Sequence, residues 1–489
     1  MNDQPALAAA PAPPASAAHA PGAPPAPAAL EEVDLLVVGG GKAGKSLAMD
    51  RAKKGMRVAM VERRYIGGTC INVACIPTKA LVASARRLEA ARSDARFGVT
   101  GTGAAAVDLE ALRAHKEGIV SAMVAAHETM FAAPGLDFLK GEARFIGERS
   151  VEVALDEGGT RCIRGERALV NLGSRPARPE IPGLWEAGAM TSEEILRLEA
   201  LPSSLAIIGA SYIGVEFASM MAAFGVEVVL IASGAHVLPR EDADIAAETE
   251  AGLAELGVEI RRGARVVAAA KEEGRIRLAL DDGGSLAAEA VLVAAGRVPN
   301  TEGIGLEEAG IRLNASGFIA VDDSLRTSAP GVWAAGDAAG TPMFTHASWS
   351  DFRIIRAQFD GAEPASPFAS TTGRLLPSVV FTSPELARIG MSEGEARASG
   401  REVLVASLPV QAVPRAKTMR ASRGLWKAVV DASTHEILGA AIQGPEAGEV
   451  IAAVQVAMRA GMRYEELRFL PIAHPTMAEG LQLLLDQLP

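Results

Sequence analysis

Cysteine is scarce in this chain, with three residues in 489. Two of them, Cys70 and Cys75, stand close together, separated by four residues. So few thiols cannot build the disulfide framework of a secreted scaffold, and a close pair suits a cytoplasmic redox couple better. Positive charge is also in short supply. The balance of 48 Lys and Arg against 59 Asp and Glu gives a formal charge of -11. That disfavours nucleic acid or an anionic membrane surface as a partner, because both are negative. Uninterrupted apolar runs of membrane-spanning length are missing too. The longest candidate, LAIIGASYIGVEFASMMAAFGVEVVLIA from Leu205, is broken by Glu216, Glu227 and several glycines, so it reads as strand and helix.

What remains is a globular composition, 49% hydrophobic and 22% charged, on a chain too long for one ordinary core. About three domains are expected. Residues 1–30 are nearly all Ala and Pro. They lack the basic start and apolar centre of a signal peptide and read as a disordered or semi-rigid tail. From Val33 the chain alternates strand, glycine turn, helix and strand, a βαβ unit ending in VAMVE at Glu62. A second unit begins at Leu205, and its glycine turn stands about 170 residues after the first. ALVNLGSRP (168–176) and AVLVAAGRVPN (290–300) suit crossings between domains. From about Leu375 the pattern is of antiparallel strands followed by helices, a separate α+β domain.

The first turn satisfies two phosphate motifs at once. Gly39, Gly41 and Gly44 make GxGxxG, a dinucleotide turn, whereas Gly39, Gly44, Lys45 and Ser46 make GxxxxGKS, a triphosphate loop. Either way a strand feeds a helix whose N-terminal N–H groups and dipole favour an anion. The dinucleotide alternative requires an acid about 20 residues further on, at the end of the second strand, to accept ribose hydroxyls. Glu62 is placed for that, and Lys42 and Lys45 then become residues of the helix surface. The second turn, GASYIG, sets Gly209 and Gly214 around Ser211, a residue small enough to let backbone approach a pyrophosphate. Its following strand ends in Ala232, which is neither the acid that selects NADH nor an arginine for NADPH, so the choice stays open.

Directly after Glu62 comes GGTCINVACIPTK, with a helix expected to start near Cys75 and Pro77. A thiol at a helix N-terminus is favoured as thiolate, the form that exchanges disulfides. Together with the two turns, this motif resembles the class I flavoprotein disulfide reductases: dihydrolipoyl dehydrogenase, glutathione reductase, mercuric reductase and relatives. The resemblance runs from about Val33 to the end of the chain.

The resemblance implies an α/β fold with two Rossmann-like dinucleotide-binding domains and a C-terminal α+β dimerisation domain. FAD would be bound by 31–176 and 298–370, NAD(P)H by 177–297, and the dimer formed through 371–489. Gly39, Gly41, Gly44 and Glu62 would hold the ADP half of FAD, and Gly336 and Asp337, closing TSAPGVWAAGD, its flavin side. Cys75 would lie beside the flavin, in charge transfer with it when reduced, and Cys70 would meet substrate. Lys79 would pair with Glu216 near the flavin. Gly209, Ser211, Gly214 and Ala232 would line the NAD(P) site, with Tyr212 gating the nicotinamide pocket. His474 and Glu479 in AHPTMAEG would form the general-base pair, supplied by the other subunit of a homodimer. His346 and Cys162 read as structural.

Within the family, the chain ends LLLDQLP without an added cysteine pair, unlike mercuric reductases, and keeps His474. GKAGKSLA, GGTCINVACIPTKAL, YIGVEFASM, LPRED and SDFRIIR resemble the branch of reactive-chlorine-resistance copper(II) reductases and mercuric reductase-like enzymes. The expected acceptor is therefore a disulfide or a thiophilic metal ion such as copper(II), with no resident metal site. The alternatives are lipoamide oxidation with NAD+ and, less favoured, mercury reduction.

Overall fold

The computed structural model describes residues 29–363 and 366–489. The Ala/Pro-rich segment lies outside the described residues except at its end, where Leu30 already opens β1 (Leu30–Val38). β1, α1 (Lys42–Lys53) and β2 (Val58–Glu62) form the first βαβ unit. Leu35, Leu36 and Val37 in β1 are all fully buried, the continuous apolar run required of a parallel strand covered on both faces. Two helices follow, α2 (Thr69–Val73) and α3 (Cys75–Ser93), separated only by Ala74 at φ -140° and ψ -104°. The long helix α4 (Leu109–Phe131) is started by Asp108, whose carboxylate accepts the Ala111 N–H.

Strands β3 (Leu136–Gly147), β4 (Ser150–Leu155) and β5 (Thr160–Val170) complete this part. The first half of β3 runs parallel to β2, and its second half is antiparallel to β4. β5 pairs with β4 and then parallel along β1. Cys162 is a residue of β5, opposite Glu152 of β4.

The chain leaves through β6 (Ser174–Pro176) and builds a second, all-parallel sheet. Its first members are β7 (Met190–Thr191), β8 (Ser204–Ile208), α5 (Tyr212–Ala223) and β9 (Glu227–Ala232). α6 (Ala243–Glu255) and β10 (Glu259–Arg262) follow. An antiparallel meander of β11 (Val266–Glu272), β12 (Arg275–Leu280) and β13 (Ser285–Ala288) precedes β14 (Ala290–Val293), giving the order β10-β9-β8-β14-β7. β15 (Arg297–Pro299) then pairs antiparallel with β6, so the chain enters and leaves this unit through one two-stranded ribbon.

β16 (Val332–Ala334) rejoins the first sheet beside β5, and α7 (Thr345–Phe359) packs on α1, the Ser348 hydroxyl accepting the Ala43 N–H at 3.2 Å. The C-terminal part is an antiparallel sheet in the order β17-β18-β21-β20-β19. Its strands are β17 (Ser378–Val380), β18 (Leu386–Gly390), β19 (Val403–Pro409), β20 (Leu425–Asp431) and β21 (Ile437–Gln443). Helices α8 (Glu393–Ala398) and α9 (Pro414–Thr418) lie between strands, and α10 (Ala447–Ala460), α11 (Tyr464–Arg468) and α12 (Gly480–Leu485) follow them. Trp426, fully buried, anchors the core of this part. No described helix is long and apolar enough to cross a membrane.

Candidate active site

The first glycine turn is tightly fitted to its surroundings. A Cβ on Gly39 would come 2.3 Å from the Asn171 carbonyl oxygen, one on Gly41 2.6 Å from Asn171 Oδ1, and one on Gly44 2.1 Å from the Gly39 carbonyl oxygen. Gly41, the N-cap of α1, has no side chain to cap the helix; the Ala43 and Gly44 N–H groups are taken by the Ser348 hydroxyl and Asn171 Oδ1, and the glycine backbone at the helix start is left to face an anion. Glu62 closes the turn: its Oε2 accepts the Gly40 N–H at 2.8 Å, and its Oε1 accepts those of Arg64 and Tyr65 at 2.7 and 3.1 Å. A glycine turn too tight for any Cβ at a helix N-terminus, with an acid at the end of the next strand, fits the pyrophosphate and ribose of a dinucleotide. Gly336 and Asp337 begin a short 3-10 helix after β16. The Gly336 N–H donates to Asp351 Oδ2 at 2.7 Å, and Asp337 Oδ2 accepts the Ser174 hydroxyl at 2.5 Å. Asp351 is fully buried and also accepts from the Thr341 hydroxyl (2.8 Å) and from Arg374 Nη1 (2.5 Å).

The two cysteines meet at the corner between α2 and α3. Cys75 is the first residue of the 19-residue helix α3, and its Sγ lies 3.5 Å from Thr345 Oγ1. Its thiol is held well below the ordinary value, at about 6. The Cys70 thiol bonds to its sulfur, Thr345 adds a second hydrogen bond, and the Lys79 ammonium adds its charge, while burial and Glu216 oppose. Cys70 is pushed up in consequence, as the donor to Cys75 and through burial. Lys79 Nζ donates to Glu216 Oε2 at 2.7 Å and sits 4.8 Å from the centre of the Phe381 ring. Glu216 is 6% exposed, and its Oε1 accepts the Phe381 N–H at 2.9 Å.

At the second turn a Cβ on Gly209 would come 2.5 Å from the Ala294 carbonyl oxygen and one on Gly214 1.8 Å from that of Gly209. Ser211 is the N-cap of α5, which carries no side-chain cap. Tyr212 stacks on Phe344 at 6.4 Å and donates to Glu241 Oε1 at 3.1 Å. Burial first, then the Glu241 charge, pushes its phenol up to about 12. Ala232 ends β9 as Glu62 ends β2, and it is buried. His474 lies far along the chain in the C-terminal part. Its Nδ1 is 2.8 Å from Glu479 Oε2, with the imidazole side chain 70% exposed and the carboxylate 9%. His346 Nε2 bonds the Pro377 carbonyl at 2.8 Å and its ring stacks on Phe344 at 5.3 Å.

One expectation is corrected. Lys45 is not a residue of the helix surface: it is 4% exposed, and its Nζ donates to the Gly67 carbonyl at 2.8 Å and bonds His127 Nε2 at 2.7 Å. α4 and the loop after β2 cover the face of α1 that carries it, and neither is legible from the helix alone. Its ammonium is thus engaged by the Gly67 carbonyl and His127, which argues against the triphosphate-loop alternative. Asn171, Thr345, Asp351 and His127 were not singled out from sequence. Asn171, Thr345 and His127 each act on a segment more than 80 residues away, as Asn171 Oδ1 does on the Gly44 N–H 127 residues back, and Asp351 joins Gly336 and Arg374 across separate loops; a local pattern carries no such signal.

Two family models cover nearly the whole described chain: pyridine nucleotide-disulphide oxidoreductase over residues 33–351, and the dimerisation domain of that family over residues 376–485. The chain belongs to the pyridine nucleotide-disulphide oxidoreductases, enzymes that bind FAD and NAD(P)H. It is 37% identical to the probable pyridine nucleotide-disulfide oxidoreductase RclA of Escherichia coli over 92% of this chain and 98% of the relative. It is 34% identical to a mercuric reductase of Acidithiobacillus ferrooxidans over 93% and 82% of the two chains. It is also 34% identical to a dihydrolipoyl dehydrogenase of Thermus scotoductus over 92% and 96%. The solved copper(II) complex of the HOCl-induced flavoprotein disulfide reductase RclA superimposes with a TM-score of 0.85, covering 93% of this chain and 99% of that one.

Proposed function

We propose that this chain is a cytoplasmic, homodimeric NAD(P)H-dependent reductase whose Cys70–Cys75 couple delivers electrons to a disulfide or to a thiophilic metal ion such as copper(II). The observation that carries it is the corner at Ala74, which brings both sulfurs together at the start of α3 with the Lys79–Glu216 pair alongside. FAD, when bound, supplies the two-electron relay between NAD(P)H and the disulfide. Gly39, Gly41, Gly44 and Glu62 would hold its ADP half, and Gly336 and Asp337 its flavin side. Gly209, Ser211 and Gly214 would hold the NAD(P)H pyrophosphate, with Tyr212 over the nicotinamide. The six-stranded sheet, the five-stranded parallel sheet and the five-stranded antiparallel sheet support the division into 31–176 with 298–370, 177–297 and 371–489.

With a disulfide acceptor, the Cys70 thiolate attacks one substrate sulfur, a mixed disulfide forms and the other substrate sulfur leaves as thiolate. His474 of the partner subunit, oriented by Glu479, protonates that leaving group. Cys75 then displaces the second thiol and the Cys70–Cys75 disulfide is restored. With copper(II), two ions each accept one electron, the dithiol becomes the disulfide and two protons are released. The thiol pair would itself be the contact for such an ion. Similarity to the RclA copper(II) complex supports the metal branch. Similarity to the Thermus scotoductus dihydrolipoyl dehydrogenase favours lipoamide as the second reading. Purified holoenzyme given NADH or NADPH with copper(II), mercury(II), lipoamide or glutathione disulfide in parallel decides between them. Strong lipoamide turnover without a metal response would overturn the metal branch.

A further inference from the structure

Lys45 is a buried cation without a carboxylate partner. Its Nζ bonds only neutral groups among the described residues: the Gly67 carbonyl oxygen and His127 Nε2. His127 Nδ1 lies 2.6 Å from the Met123 carbonyl, which can only accept. The ring proton therefore sits on Nδ1, and Nε2 offers its lone pair to the ammonium. A charge buried in this way is costly unless something nearby compensates it. The other ammonium at the site, that of Lys79, is already neutralised by Glu216 at 2.7 Å.

The place that Lys45 reaches is the floor of the Cys70 loop. Gly67 stands three residues before Cys70, and a Cβ on it would come 2.9 Å from Ile71 Cδ1 and 3.4 Å from His127 Cγ. Gly68, the N-cap of α2, packs its Cα face on Gly41 of the phosphate turn, where a Cβ would come 2.9 Å from the Gly41 Cα. α1, α4 and the start of α2 thus close around the Lys45 ammonium.

We propose that Lys45 is the counter-charge of Cys70, a positioning residue that favours the thiolate of the sulfur meeting substrate once the disulfide has been reduced. The inference rests on the assignment of Cys70 as that sulfur. Two further observations agree with it. Burial and the neighbouring Lys42 hold the Lys45 ammonium down at about 8, and Cys70 is the group that acts to raise it. In return Lys45 acts to lower the Cys70 thiol against the combined effect of Cys75 and burial. The charged and titratable groups facing Lys45 are Lys42 on α1, His127 on α4 and Cys70 on α2. Those facing Cys70 within the subunit are Cys75 and Lys45, and in the proposed dimer the partner subunit's His474 joins them. An electron pair arriving on two adjacent sulfurs creates negative charge, and a cation with no other anion to serve stabilises it where it forms.

The test is the alkylation rate of each thiol against pH in NAD(P)H-reduced holoenzyme, with Cys70 and Cys75 followed separately by peptide mass after iodoacetamide. Lys45→Met is expected to displace the Cys70 profile upward by about one pH unit, roughly a tenfold slower rate at neutral pH, with Cys75 little moved. His127→Glu brings a carboxylate to the ammonium and should displace the Cys70 profile in the same direction, whereas Lys45→Arg should leave it in place. Cys70 profiles that coincide with the wild type in both Lys45→Met and His127→Glu overturn the inference. If Lys45→Met does not accumulate as flavin-bearing dimer, His127→Glu decides alone, since its side chain lies on the half-exposed face of α4. Failure of the underlying assignment looks different: the long-wavelength absorption of the reduced holoenzyme would then persist in Cys75→Ser and vanish in Cys70→Ser.

Discussion

Glu216 ties together three parts of the chain through one carboxylate, accepting from Lys79 Nζ at 2.7 Å and from the Phe381 N–H at 2.9 Å. Lys79 belongs to α3 and Glu216 to α5 of the second parallel unit, while Phe381 directly follows β17. The Lys79 charge lowers the Cys75 thiol and the Glu216 charge raises it, so the two partly cancel. Glu216→Gln keeps an acceptor for Phe381 and removes the opposing charge. The pH midpoint of the long-wavelength absorption of reduced holoenzyme should therefore move down, and an upward move would refute this electrostatic account.

The same absorption reports the Cys75 thiolate, which titrates at about 6. A thiol with a depressed value is charged above it, so the band should be present at pH 7 and fade as pH falls through about 6. Thr345→Val removes a hydrogen bond to the sulfur, a long one at 3.5 Å. The midpoint should rise by about half a pH unit, the low end of what one such bond contributes.

His474 and Glu479 separate the two kinds of acceptor. A disulfide needs a proton on its leaving sulfur, and a metal ion does not. Glu479→Gln or His474→Gln should slow disulfide turnover by about 10²-fold or more, the usual share of a positioned acid or base. Copper(II) reduction by the same variants should fall far less. Parallel steady-state assays read the difference, and equal losses with both acceptors would argue that the dyad is structural.

The two glycine turns can be broken independently. A Cβ on Gly44 would stand 2.1 Å from the Gly39 carbonyl oxygen and one on Gly214 1.8 Å from the Gly209 carbonyl oxygen. Neither contact can exist without moving backbone, at a cost of about 1–3 kcal/mol. Gly44→Ala should purify with little flavin absorbance. Gly214→Ala should stay yellow and lose its response to NAD(P)H in stopped-flow reduction.

Much of this was legible in the sequence because it is local. The β1-α1-β2 unit, the turn glycines, Glu62 at the strand end and the Cys70/Cys75 motif each declare themselves within about 40 residues, by periodicity and by residue types with narrow uses. The crossing ribbon of β6 and β15 was legible as two similar strand ends. Lys45 was misread because the covering face of α1 is made by α4, and a helix does not announce what will be laid over it. Asn171 and Asp351 were invisible for a related reason. An Asn in a loop or a single Asp within a helix carries no periodic signal of its own, and their partners, the Gly44 and Gly336 N–H groups, become neighbours only after the sheet and α7 have assembled.

Asp351 has one consequence for how the molecule holds together. Through it, the loop of Gly336 and Asp337 is clamped to Arg374, which lies on the run of chain leading into the C-terminal sheet. Arg374 is the cation that neutralises this wholly buried carboxylate, so a disturbance of the C-terminal part would leave Asp351 charged, dry and unpaired. With Gly336 and Asp337 on the flavin side as proposed, this clamp would join cofactor retention to subunit assembly, and a dimer prised apart should shed its colour along with its partner.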